Sequence, residues 1–128
     1  MKKLPCFVGG SDVRADAVAH AQSNARAAGI GHLLSFERRD VADFHPPDGP
    51  PGVMICNPPY GERIGDEREL RGFYRRVGEV LAERCHGWQC VVFTANDAPW
   101  REIAMKPASV MPFWNGRIAC RLLKYTPA

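Results

Sequence analysis

The sequence predicts an α/β fold with a mostly parallel sheet and a terminal antiparallel hairpin. Three observations favour this fold class. The run 53–56 is continuously apolar, as expected for a strand covered on both faces of a parallel sheet. Two segments with helical spacing of apolar residues, about 15–28 and 67–85, alternate with short apolar runs. Near the end, Asn115-Gly116 separates two strand-like runs, which indicates a two-residue hairpin turn.

Length and composition limit the possibilities. The chain has 128 residues, which predicts a single domain spanning 1–128. Its net charge of +3 does not by itself imply a nucleic-acid partner. No apolar run approaches the roughly 18 residues of a membrane span, and no signal-peptide stretch follows Lys2-Lys3, so we expect a cytoplasmic protein without a membrane partner. The five cysteines predict reduced thiols. Because Cys85-His86 and Cys90 include no CxxC pair, no metal site is predicted.

The first third of the chain predicts a strand, a helix and a second strand. Phe7-Val8 is interpreted as the end of a strand, and Ser11-Asp12 as the cap of the following helix. Gly29 follows that helix and is expected to end it. Leu33–Phe36 is interpreted as the next strand.

The remainder predicts further elements around a loop rich in proline and glycine at 43–52. After the strand at 53–56, a long helix is expected from Asp66 or Glu67 to about Cys85, with Tyr74, Val77 and Leu81 on its apolar stripe. A strand at 89–94, a short helix to about 105, and the hairpin 109–125 complete the chain.

The apolar strand at 53–56 leads directly into Asn57-Pro58-Pro59-Tyr60. An exocyclic amine of a nucleobase is a poor nucleophile because its lone pair is delocalised into the ring. The side-chain carbonyl of Asn57 and the backbone carbonyl of Pro58 could accept its two N–H bonds and leave the lone pair directed at an electrophile. Two consecutive prolines make the turn stiff, which favours preorganisation. Tyr60 offers a flat face for an extruded base. The alternative is an ordinary Asn-Pro turn or a Pro-Pro-Tyr recognition motif.

The tetrapeptide resembles the catalytic motif of amino-methyltransferases that use S-adenosylmethionine. The longer run 57–63, Asn-Pro-Pro-Tyr-Gly-Glu-Arg, resembles bacterial 23S rRNA guanine-N2 methyltransferases that also carry a THUMP RNA-binding domain. The resemblance extends over about 7–125. It implies a Rossmann-like class I methyltransferase sheet, S-adenosylmethionine as cofactor, and 23S rRNA as substrate, with Asn57, Pro58, Pro59 and Tyr60 as catalytic residues.

The cofactor residues come partly from the fold and partly from the resemblance. An acidic residue at the end of the second strand of a doubly wound sheet commonly binds the ribose hydroxyls, and Asp12 has that position, although it could also cap the helix. By resemblance, Asp40 accepts from the adenine amine, Val41 lies beside the ring, and Asn57 also contacts the cofactor.

Substrate contacts are expected at three further residues. Glu62 and Arg63, in the polar loop after the catalytic turn, could contact substrate phosphate or simply hold the loop. In the resembling enzymes the end of the chain lies near the substrate, so Asn115, after Phe113-Trp114, could line the base pocket. Packing of these last residues on an edge strand is the alternative.

The sequence departs from the resembling enzymes at its start. The first strand, its Gly-rich turn and the upstream THUMP domain are not recognisable in these residues, so we expect a partial methyltransferase domain. Its open sheet would carry an unpaired edge, or the strand ending at Val8 would pair with 53–56. Three functions follow: guanine-N2 methylation of 23S rRNA, with this chain weak or inactive alone; a truncated or degenerate domain that only binds; or adenine-N6 methylation of DNA or RNA.

Overall fold

A computed structural model describes residues 3–58 and 66–128. The chain divides into two compact units, Met1–Pro47 and Asp48–Ala128. Each unit has its own sheet, of two and four strands respectively, which confirms the mixed α/β class. The organisation of 1–128 as one domain stays a prediction.

The first unit contains two short parallel strands and a helix: β1 (Gly9–Asp12), α1 (Ala15–Ala27) and β2 (Ser35–Arg38). Both strands lie further along the chain than predicted. Phe7-Val8 precedes β1, and Leu33 belongs to a 3-10 turn before β2. The boundaries differ because these strands are polar and mostly exposed, so they are defined by pairing with each other rather than by apolar side chains.

The start of α1 also differs from the prediction. Arg14, not Ser11 or Asp12, is the N-cap residue, and it makes no side-chain capping bond. The Asp12 carboxylate instead accepts a hydrogen bond from the backbone N–H of Arg14, at 2.8 Å. Because the helix begins at Ala15, Asp12 lies too far upstream to cap it and closes a short turn.

The end of α1 is as predicted. Gly29 has a φ of 76°, a left-handed conformation that glycine adopts without strain. The backbone N–H of Ile30 donates to the carbonyl of Ala25 at 2.9 Å, which completes the Schellman arrangement of a helix C-terminus.

The second unit is a four-stranded mixed sheet with one long helix. The strand order is β3-β4-β6-β5; β3 and β4 are parallel, and the other pairs are antiparallel. β5 and β6 form the predicted hairpin, with β5 at the outer edge. The elements are β3 (Val53–Cys56), α2 (Glu67–Arg84), β4 (Gln89–Ala95), β5 (Ser109–Asn115) and β6 (Ile118–Tyr125).

The core of this unit lies between α2 and one face of the sheet. Tyr74, Val77 and Leu81 of the predicted stripe are fully buried. The hydroxyls of Tyr74 and Thr94 are 2.5 Å apart, so α2 packs on the face of β4 that carries Thr94. The fully buried residues on the sheet include Cys90, Val92, Thr94, Leu123 and Tyr125. This core is what positions the carboxyl ends of β3 and β4.

The prediction that β3 is covered on both faces is wrong for this chain. Met54 is buried, but Val53 and Ile55 are 59% and 64% exposed. Successive residues of a strand face opposite sides of the sheet, and α2 covers only the side of Met54. Of the two predicted alternatives for the open sheet, the unpaired edge is found: in the described residues, β1 pairs only with β2 and β3 only with β4.

Candidate functional site

Asn57 stands immediately after β3 and is exposed, whereas the next residue, Pro58, is fully buried. Among the residues that the structure describes, the Asn57 side chain has no hydrogen-bond partner. The side-chain amide of Asn57 is therefore exposed to solvent, while the backbone is held in place at the next residue, Pro58. The hypothesis that Asn57 accepts an N–H bond from a nucleobase amine requires this arrangement, because an amide that is hydrogen-bonded within the protein is not available to a substrate.

The strand that delivers Asn57 is held by the parallel ladder with β4. Met54 is opposite Cys90, and Cys56 is opposite Val92. Both partners in β4 belong to the buried face of the sheet. The end of β3 is thus anchored on the core of the second unit, which limits the movement of the adjacent Asn57.

Four of the predicted site residues, Pro59, Tyr60, Glu62 and Arg63, lie outside the described residues. Their assigned roles in catalysis and substrate binding stay predictions. The described chain resumes at Asp66, whose carboxylate accepts from the backbone N–H of Arg68 at 2.8 Å and caps α2. The helix begins at Glu67, as predicted.

A thiol lies next to the site. Burial raises the pKa of Cys56 to about 12. The thiol is therefore neutral near pH 7, and a neutral thiol is a poor nucleophile.

The predicted cofactor residues other than Asn57 lie in the first unit. Asp12 is the last residue of β1, and Asp40 follows β2 by two positions. Because the strands are parallel, both carboxylates are at the carboxyl edge of the small sheet. Val41 begins a 3-10 turn whose N-cap is Asp40, which accepts from the backbone N–H of Ala42 at 2.9 Å.

These two carboxylates fit a role as hydrogen-bond acceptors. Each uses one oxygen, Oδ1, in its local turn. In the described part of the chain the other oxygen of each makes no hydrogen bond. Both residues are exposed. Hydroxyl or amine donors of a cofactor could therefore reach them without breaking the turns.

Asn115 ends β5 and faces Ile118 across the hairpin turn. It lies at the same edge of the four-stranded sheet as Asn57, because β5 and β3 run in the same direction. Three strand spacings, about 14 Å, separate β3 from β5. Asn115 also lies five residues beyond Val110, the β5 residue level with Cys56, so the two asparagines are offset along the strand direction as well. Trp114, which precedes Asn115, is 71% exposed, and the lining role of Asn115 stays a prediction.

Sequence reasoning missed one cluster at this edge. Trp100 and Arg101 follow β4, and the guanidinium carbons of Arg101 and Arg121 lie 4.3 and 5.0 Å from the centre of the indole ring. The adjacent Trp-Arg pair was visible in the sequence. Arg121 was not, because it joins the cluster only through the β4–β6 register, in which it faces Thr94.

The described residues hold neither a metal cluster nor a membrane-spanning helix. Across residues 3–58 and 66–128, no group of three or more His, Cys, Asp or Glu side chains could hold a metal ion. In the same stretches, no helix combines the length and apolarity needed to cross a bilayer. All five cysteines are free.

Comparison with known proteins adds independent information. The model of the family UPF0020, described as an RMKL-like methyltransferase domain, matches residues 2–124. The ribosomal RNA large subunit methyltransferase K/L of Allochromatium vinosum is 38% identical over 117 residues, which cover 91% of this chain and 16% of that protein. The chain thus spans about one sixth of the length of this relative.

Two solved structures have the same fold. SMU.472, described as a candidate methyltransferase complexed with SAH, superposes with a TM-score of 0.85 and 26% identity, over 94% of this chain and 32% of that one. A Listeria monocytogenes protein, described as a predicted N6-adenine-specific DNA methylase, superposes with a TM-score of 0.78 and 32% identity, over 94% and 30%. The class I methyltransferase fold is therefore established for these residues.

Proposed function

Because the chain belongs to the UPF0020 family of RMKL-like methyltransferase domains, we propose that it supplies the amine-orienting part of an S-adenosylmethionine-dependent RNA methyltransferase. The substrate is the N2 amine of a guanine in 23S rRNA. The name of the Allochromatium relative supports the rRNA substrate, and the SAH complex of SMU.472 supports the cofactor. The observation that carries the proposal is the exposed Asn57 amide between the anchored β3 and the buried Pro58.

The chain's own residues account for the orientation step. The Asn57 side-chain carbonyl and the Pro58 backbone carbonyl accept the two N–H bonds of the guanine amine. This contact turns the nitrogen lone pair towards the methyl group that S-adenosylmethionine supplies. When bound, S-adenosylmethionine would supply the methyl group and leave as S-adenosylhomocysteine, and the excess proton on nitrogen would pass to water. Fixed acceptors need no reorganisation during the reaction, which is the source of their catalytic effect.

Further elements complete the proposal. Tyr60 stacks on the extruded base, while Asp12, Asp40 and Val41 hold the adenosine part of the cofactor. Glu62, Arg63 and Asn115 are proposed to contact the substrate. An upstream strand with a Gly-rich turn and a THUMP domain are expected in the complete enzyme, which we place in the cytoplasm.

The test is a chimera in which residues 2–124 replace the matching segment of the Allochromatium enzyme. We expect Asn57→Ala in this chimera to lower methyl transfer to 23S rRNA about 100-fold or more, since one lost preorganised contact costs about 10²–10³ in rate. Affinity for S-adenosylmethionine, measured by calorimetry, should stay within a few-fold. Asn24→Ala, on the exposed surface of α1, is the matched control and should leave turnover unchanged. Near-normal turnover of Asn57→Ala would refute the assigned role.

A second candidate keeps the chemistry and changes the base. The Listeria neighbour is named for N6-adenine specificity, and adenine also presents an exocyclic amine. Offering the chimera rRNA fragments and DNA duplexes with guanine or adenine as the only acceptor separates the two. Transfer confined to adenine would favour this candidate.

The third candidate is binding without catalysis. Calorimetric titration of the 128-residue chain with S-adenosylmethionine addresses it directly. We expect weak or no binding by the chain alone, since the Gly-rich turn is not recognisable in it. Micromolar binding would instead support catalysis by the chain alone.

A further inference from the structure

The indole of Trp100 carries two guanidinium groups. The guanidinium carbon of Arg101 is 4.3 Å from the ring centre, and that of Arg121 is 5.0 Å from it. Both distances lie within the range of cation–π attraction. Trp100 itself is only 8% exposed, so the ring is a fixed support rather than a free surface group.

Hydrogen bonds fix the positions of both the ring and Arg121. The indole N–H of Trp100 donates to the carbonyl of Asn96 at 3.4 Å. Nε of Arg121 donates to Oδ1 of the same asparagine at 3.1 Å. The cluster thus joins the segment after β4 to the middle of β6, and its geometry is set by the sheet.

The charges of these arginines are not neutralised locally. Among the described residues, no carboxylate forms an ion pair with Arg101 or Arg121. Glu102, the nearest acidic residue in the chain to Arg101, is bound to Arg75 at 3.1 Å. Packing that shields the indole would explain why each arginine contacts Trp100. It would not explain why two positive charges lie on one ring with no acidic side chain of the described residues to neutralise them. A negatively charged ligand would relieve their mutual repulsion.

The cluster lies beside the candidate site. Asn57 follows β3, Trp100 and Arg101 follow the adjacent β4, and Arg121 faces Thr94 near the carboxyl end of β4. Two strand spacings, about 10 Å, separate the β6 position from the end of β3. Both sites lie at the carboxyl edge of β3 and β4, so a strand of RNA that crosses this edge could contact both.

We propose that Arg101 and Arg121, held on Trp100, bind the phosphate backbone of single-stranded RNA next to the nucleotide presented to Asn57. This inference rests on the proposed function and extends it to the substrate path. Arginine suits the role because its planar group pairs with phosphate while it stacks. An open depression of about 340 Å³ beside Arg101, lined by Ala98, Pro99, Arg101 and Glu102, leaves room for a flanking nucleotide.

The experiment measures binding of the full 128-residue chain to a fluorescent 12-nucleotide single-stranded RNA, without cofactor, at several salt concentrations. We expect the double variant Arg101→Gln/Arg121→Gln to bind about 10-fold more weakly. Its slope of log affinity against log salt should be shallower by about 1.4, since each contact to a single strand contributes about 0.7.

The matched control is Arg26→Gln/Arg76→Gln, which removes the same charge from two exposed arginines elsewhere. It should leave the salt slope unchanged. Arg101→Lys/Arg121→Lys keeps the charge and should restore most of the slope. If the double glutamine variant is poorly folded by circular dichroism, the exposed Arg101→Gln alone should lower the slope by about 0.7.

Two outcomes overturn the proposal: an unchanged slope in the folded glutamine variants, or an equal loss in the control pair. Because the measurement needs neither cofactor nor turnover, a failure of methyl transfer in the Asn57 test leaves it intact. Conversely, a failure here leaves the role of Asn57 standing.

Discussion

The two units of this chain differ sharply in how much core they have. In residues 48–128, a helix and four strands surround a set of fully buried side chains that includes Tyr74, Leu81 and Leu123. In the described part of residues 1–47, the only buried residue is Ala25. Asn57 therefore belongs to a unit that has its own hydrophobic core, whereas Asp12 and Asp40 belong to a unit whose described residues lack one.

The cause of the difference is visible in the strands. β1 is Gly-Gly-Ser-Asp and is exposed throughout, while β4 contains Cys90, Val92 and Thr94, all fully buried. A two-stranded sheet with polar strands buries too little apolar surface to offset the entropy of ordering its chain. The proposed catalytic turn at Asn57 and the proposed cofactor carboxylates of Asp12 and Asp40 therefore depend on different sources of stability.

Expressing the two units as separate chains is the strongest test of this comparison. We expect residues 48–128 expressed alone to unfold cooperatively on heating, and residues 1–47 alone to show no cooperative transition. The reason is that the fully buried side chains lie in the second unit. Circular dichroism against temperature measures both. A sigmoidal transition in the 1–47 peptide would contradict the interpretation.

The sequence predicted the second unit better than the first, for a physical reason. The stripe Tyr74, Val77 and Leu81 and the Asn115-Gly116 turn predicted α2 and the hairpin because burial and turn chemistry act locally there. β1 was misplaced because its strand character comes from pairing with β2, a non-local fact. At the candidate site, the motif indicated Asn57, but nothing in the sequence indicated Arg121, since only the register of β6 brings it to Trp100.

A matched pair of valines sharpens the comparison. Val77 is fully buried on α2, whereas Val13, after β1, is 53% exposed. We expect Val77→Ala to lower the free energy of unfolding by about 2 kcal/mol, through lost burial and the cavity left behind. Val13→Ala should change it by less than about 0.5 kcal/mol. Urea titration of the full chain gives both free energies of unfolding. Equal losses in the two variants would mean that the core of the first unit contributes as much stability as the core of the second.

Two tyrosines in the core of the second unit separate packing from hydrogen bonding. The hydroxyl of Tyr74 is 2.5 Å from that of Thr94, while the buried hydroxyl of Tyr125 has no partner among the described residues. Tyr74→Phe should therefore destabilise the chain by about 1 kcal/mol. Tyr125→Phe should be neutral or stabilising by up to about 1 kcal/mol, because it removes a desolvated group without breaking a bond. A loss on Tyr125→Phe as large as that on Tyr74→Phe would contradict this.

The same residue gives a pH signature. Burial raises the pKa of Tyr125 to about 12. At a pH between the ordinary tyrosine pKa near 10 and this raised pKa, Tyr125 stays protonated in the folded chain and loses its proton in the unfolded chain. Stability therefore falls as the pH rises through that window. Tyr125→Phe lacks this titration, while both proteins keep Cys56, whose pKa is also raised to about 12. The urea midpoint of the natural chain should therefore drop more steeply from pH 9 to 11 than that of the variant, and parallel curves would show that the phenol is solvated.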